Sequence, residues 1–112
     1  MMIAERKIKG YITANSVTDI YYIAKKQLSD KLAREALKYL FKVFSVIDVT
    51  GGDCEEALNI PLQDFEDAVV VACGGNVNVD YIITRDDIFL QSENIEEIKI
   101  IEPLDFLKIS NE

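Results

Sequence analysis

Apolar and polar residues recur along the chain with two periods, and the changes between them mark out the elements. Gly10-Tyr11-Ile12-Thr13-Ala14 is a short β-rich run followed by Asn15-Ser16, residues suited to an N-cap, so a strand feeding a helix is predicted. That helix is placed over 16–28, where Val17, Ile20, Tyr21, Ile23, Ala24 and Leu28 fall at helical spacings and Lys25, Lys26 and Gln27 take the wet side. Ser29-Asp30 then caps a second helix over 30–43. In it Leu32, Ala33, Ala36, Leu37, Leu40 and Phe41 repeat every three or four residues opposite Lys31, Arg34, Glu35, Lys38 and Lys42.

Residues 44–49 return to a strand pattern, and Thr50-Gly51-Gly52-Asp53 is a turn that caps a short helix around 54–59, ended by Pro61. A helix over 62–73 is predicted to line the core with Phe65, Ala68, Val69 and Ala72, and Gly74-Gly75 to close it as a glycine C-cap. Residues 80–84 suit a strand buried on both faces, residues 98–102 a last strand, and Pro103 opens a terminal helix. Alternating strands and helices imply an α/β fold with a parallel sheet of about four strands and helices on both faces, because parallel neighbours need crossovers. Functional groups in such sheets gather beyond the carboxyl ends of the strands.

Composition narrows the class. A chain of 112 residues that is 49% hydrophobic can bury one core, so a single domain over 1–112 is expected. With no apolar run near the ~18 residues of a membrane span and only Cys54 and Cys73 as thiols, a soluble cytoplasmic protein with reduced cysteines and no membrane partner is expected. Having no His, the chain excludes Ser-His and Cys-His nucleophilic schemes and the commonest zinc sites. The net charge of −8 is unevenly spread: residues 1–42 carry nine Lys/Arg against four Asp/Glu, and residues 43–112 three against sixteen. Solvated helix faces explain that division, and so does a basic surface that steers a polyanion toward a metal-bearing acidic site.

Three acidic positions share one rim by topology. Asp19 is placed in the first turn of the helix leaving the first strand, Asp67 in the first half of the helix before the third strand, and Asp86 with Asp87 just beyond that strand's Thr84. Carboxylates brought together repel unless neutralised, and hard oxygen ligands suit Mg²⁺ or Mn²⁺, ions that promote phosphodiester hydrolysis without histidine. Each acid also has a plainer role: Ser16-x-x-Asp19 spells a capping box, and Asp67, Asp86 and Asp87 are ordinary acids of helix starts and loops.

The order of these segments resembles the PIN (PilT N-terminus) domain family of VapC-type toxins and related nucleases. Residues 10–20, GYITANSVTDI, are similar to the family's second strand with its Ser/Thr-x-x-acid helix start. Asp64-Phe65-Glu66-Asp67-Ala68 resembles the acidic helix motif, Tyr81-Ile82-Ile83-Thr84-Arg85-Asp86 the strand ending in Thr-x-Asp, and Pro103-Leu104-Asp105-Phe106-Leu107 the closing Pro-x-x-Phe-Leu. The resemblance implies a three-layer α/β/α domain that cleaves single-stranded RNA with Mg²⁺ or Mn²⁺, commonly as the toxin of a toxin-antitoxin pair and often as a homodimer. It makes Asp19, Asp67 and Asp86 metal ligands and catalytic acids, with Ser16, Asp64, Thr84 and Asp87 supporting them; Arg85, near the same rim by topology, is expected to hold a substrate phosphate.

Two departures qualify that expectation. The family opens with a central strand ending in Asp-Thr-Asn, whereas only MMIAERK precedes Ile8, a segment that reads as the end of a helix. An N-terminally truncated domain lacking its first strand is therefore expected, the doubled Met1-Met2 fitting an internal or engineered start. The gap must be closed by pairing of 10–14 with 80–84, by a second chain, or by a preceding region, since unpaired ladders are costly. In addition, Asp87 directly follows Asp86, so either could be the ligand. A catalytically impaired domain kept for dimerisation or partner binding is the competing expectation.

Overall fold

The computed structural model describes residues 8–110, so the helix expected at the start of the chain lies outside the described residues. The chain divides into two compact units, Met1–Val49 and Thr50–Glu112. In the first, β1 (Tyr11–Thr13) leads into α1 (Ala14–Gln27), and α2 (Asp30–Val43) leads into β2 (Ser45–Ile47). The two helices form the crossover that lets β1 and β2 pair in parallel, with Ile12 opposite Val46. Ser29 caps α2 as expected, its hydroxyl accepting from the Leu32 amide at 3.2 Å.

Tyr21 ties the two helices together. Its hydroxyl donates to Asp30 Oδ1, while Arg34 Nε donates to both Asp30 oxygens at 3.0 and 3.1 Å and the guanidinium lies 5.6 Å from the Tyr21 ring centroid. The Tyr21 hydroxyl and the Arg34 guanidinium hold the Asp30 carboxyl below its usual range.

The second unit holds α3 (Gly51–Ala57), α4 (Phe65–Asn76), β3 (Tyr81–Ile83), α5 (Asp87–Leu90), β4 (Asn94–Ile95), β5 (Ile98–Ile101) and α6 (Pro103–Ser110). Its sheet has the order β3-β5-β4, with β3 parallel and β4 antiparallel to β5. Central β5 buries Ile98, Ile100 and Ile101 and exposes Lys99, and α4 contributes Ala68, Val69, Val71, Ala72 and Cys73 to the core. Tyr81 of β3 meets Phe106 of α6 edge to face at 5.7 Å.

Asp53, buried at the start of α3, links that start to the end of α4. Its Oδ2 accepts from the amide and hydroxyl of Thr50, completing a capping box, and its Oδ1 accepts from Asn76 Nδ2 at the end of α4 at 2.7 Å. Neither cysteine is in a disulfide, and burial pushes the Cys73 thiol up to about 11, with the Asp53 charge adding to the shift.

The mixed α/β class is as expected, but the strands form a two-stranded parallel sheet and a three-stranded mixed one in place of one parallel sheet of four. Each strand takes its ladder from within its own unit: β1 from β2, and β3 from β5. Four local expectations also change. Helix α1 begins at Ala14 with Thr13 in the N-cap position, where its side chain caps no amide and its hydroxyl instead meets that of Ser16 at 2.7 Å; Ser16 lies inside the helix and forms no capping box with Asp19. Gly74 and Gly75 continue α4, which ends at Asn76 with Asn78 taking the positive φ of 54° beyond it. Phe65 is exposed, and β3 is buried at Ile82 but exposed at Ile83. The β4–β5 hairpin and α5 were not expected at all.

Candidate metal centre on the acidic helix

Helix α4 starts in a run of acids that the chain caps with one of its own. Asp64 is the N-cap, its Oδ1 accepting from the Glu66 amide at 2.8 Å, and Glu66 and Asp67 stand in the first turn. A helix N-terminus favours negative charge, so Asp64 and Glu66 on exposed positions are at little cost there. Asp67 is different, being half-buried one turn before the fully buried Val71.

Burial first, and then the charges of Asp64, Asp86 and Glu66, raise the Asp67 carboxyl to about 6. The charge that reaches it from a distant stretch of chain is that of Asp86, and this distinguishes Asp86 from its neighbour Asp87. Asp86 caps α5, its Oδ1 accepting from the Ile88 amide at 2.8 Å and the Phe89 amide at 3.3 Å. Its own amide donates to Thr84 Oγ1 at 3.1 Å, so Thr84 fixes the chain where β3 ends and α5 begins. Asp87 is the first residue of α5, and Arg85 between Thr84 and Asp86 is exposed.

The structure thus brings Asp64, Glu66 and Asp86 into electrostatic reach of Asp67 within the second unit. Asp19 and Ser16 belong to the first unit, where Asp19 is exposed in the second turn of α1 and not in the first turn as expected. Among the described residues no three His, Cys, Asp or Glu side chains are gathered closely enough to hold a metal ion. Glu66 was not singled out from the sequence, although Asp64-x-Glu66-Asp67 ahead of an apolar helix already announces crowded charge.

The donor chemistry of this cluster fits a small hard cation. Its side chains offer oxygen alone, the donor such ions take, and a cation beside Asp67 would offset the burial and neighbouring charges that oppose its ionisation. The chain belongs to the PIN domain family, whose model matches residues 1–87. Members of that family are typically nucleases that bind divalent metals. No curated protein and no solved structure matches the chain significantly. No helix among the described residues is long and apolar enough to cross a membrane.

Proposed function

We propose that the protein is a divalent-metal-dependent endoribonuclease of the toxin-antitoxin type, acting on single-stranded RNA in the cytoplasm. The observation that carries the proposal is the Asp67 carboxyl, raised by burial and by Asp64, Asp86 and Glu66 in a chain of the PIN family. Asp67 and Asp86 are the ligands assigned to Mg²⁺ or Mn²⁺.

When bound, the ion supplies charge neutralisation at the phosphodiester and acidifies water. The chain's own groups do the positioning. Two amides of α5 hold Asp86 Oδ1 and leave Oδ2 for another partner, and the Thr84 hydroxyl fixes the turn that presents it. Asp64 spends Oδ1 on the Glu66 amide, which keeps the start of α4 intact and Asp67 in place. Arg85, exposed beside this turn, is assigned to a substrate phosphate. A homodimer and an antitoxin partner complete the proposal.

The test is cleavage of an end-labelled single-stranded RNA. Wild-type protein should cut it with Mn²⁺ or Mg²⁺, lose the activity in chelator, and lose it again on Asp67→Asn. Activity that survives both treatments would contradict the proposal. A protein that binds Mn²⁺ through Asp67 without cutting RNA would be a partner-binding module built on the same fold.

A further inference from the structure

Helices α3 and α4 pack on each other within the second unit, and the chain's two cysteines are divided between them. Cys54 stands near the start of α3 and Cys73 near the end of α4. The residue before Cys54 fixes how these two ends meet. Asp53 accepts from Asn76 Nδ2 at 2.7 Å and also from the Cys73 thiol, and Cys73 and Asn76, three residues apart, are neighbours on one side of α4. Buried Ala57 of α3 and buried Ala68 and Ala72 of α4 are small, which allows the two backbones a close approach.

The two thiols differ in access. Cys73 is fully buried, whereas Cys54 is half-buried, so a dissolved oxidant reaches Cys54 first. Burial holds Cys73 as a thiol at neutral pH, and a charge on Cys54 opposes one on Cys73, as expected of sulfurs within electrostatic reach of each other. As a small core residue Cys73 needs no second thiol beside it. An accessible thiol next to a sheltered one is instead the arrangement in which the first is oxidised and the second resolves it.

We infer that Cys54 and Cys73 are a redox pair, two thiols in the reduced chain and a disulfide clasping α3 to α4 once a peroxide has oxidised Cys54. In the first step the Cys54 thiol becomes a sulfenic acid and the peroxide is reduced, to water in the case of hydrogen peroxide. The Cys73 sulfur then attacks the sulfenic sulfur: the S–S bond forms, the S–O bond breaks, and the departing hydroxide leaves as water with the Cys73 proton. Two electrons pass from the sulfurs to the peroxide, and a small thiol reverses the change. Asp53 loses its thiol donor when the bond forms, and residues 55–72 are closed into a loop, which constrains the unfolded chain. The inference does not rest on the metal centre.

The test treats the full chain with hydrogen peroxide, blocks remaining thiols with iodoacetamide in denaturant and maps the peptides by mass. Wild type should take up no iodoacetamide and yield one peptide pair joining Cys54 to Cys73 within a single chain, and dithiothreitol should restore both thiols. Cys73→Ala should stop at a sulfenic Cys54 that dimedone captures. Cys54→Ser, a change at a half-buried position whose folding circular dichroism checks, should leave Cys73 unoxidised. The linked wild type should melt about 10 °C above the reduced protein, and peroxide should not move the melting of Cys54→Ser. An over-oxidised Cys54 beside an untouched Cys73 in the wild type, or a bond between two chains, would overturn the inference. A linked chain that melts no higher than the reduced one would overturn it too, since the bond would then clasp nothing.

Discussion

Asp67 and Asp53 show how the surroundings of one carboxylate decide its cost. An unfolded Asp titrates near about 4, and folded Asp67 at about 6. Between those values the folded chain binds more protons than the unfolded one, so Asp67 subtracts stability progressively as pH rises from about 4 to about 6. In chelator, Asp67→Asn is therefore expected to melt above wild type at pH 7–8 and level with it near pH 4; melting curves displaced equally at all pH values would count against this. Asp53 has the opposite sign. The Thr50 amide, Asn76 and the Thr50 hydroxyl hold its carboxyl below the usual range, so its contribution is present above about 4 and is lost as pH falls through the depressed value. Asp53→Ala should flatten the acid limb of the stability curve, measured by acid unfolding. Thr50-x-x-Asp53 and the acids before the apolar helix were both legible in the sequence, because each motif acts within a single turn. Asp19 was misplaced by one turn because α1 starts at Ala14, ahead of the Asn15-Ser16 signal, with the strand residue Thr13 in the N-cap position.

Among the elements, the short ones escaped the sequence. The hairpin between β4 and β5 turns on Glu96 and Glu97, both at positive φ (50° and 70°), where Asn-Gly is the usual signal. Two side chains held in the left-handed region cost on the order of 1 kcal/mol each. Replacing them by Asn-Gly should thus raise stability by about 1–2 kcal/mol in denaturant titration, and no change would mean that the turn is not held as described. Helix α4 runs past its glycines, of which only the first is used for packing: a Cβ on Gly74 would stand 3.0 Å from Val79 Cγ2, whereas Gly75 has open space. Gly75→Ala should stabilise by roughly 0.5–1 kcal/mol, the ordinary helix-interior gain, and Gly74→Ala by less since Val79 must yield. Equal gains at both would contradict the close approach. Long periodic helices such as α2, by contrast, were readable to the residue, since their apolar spacing and the Ser29 cap agree.

Across the molecule, alternation of strands and helices foretold the α/β class, but not how the strands would be shared between sheets, which depends on pairing between distant segments. The charge division read from the sequence survives in the fold as two separate features, a cationic row on α2 and an acidic cluster where α4 and α5 begin. Everything assigned to catalysis depends on that cluster holding a divalent cation through Asp67. Calorimetric titration with Mn²⁺ of wild type and Asp67→Asn side by side at pH 6 tests it most directly. Saturable binding with proton release in the wild type, and its loss in the variant, is the expected result; the same heat in both proteins, or none in either, would contradict it.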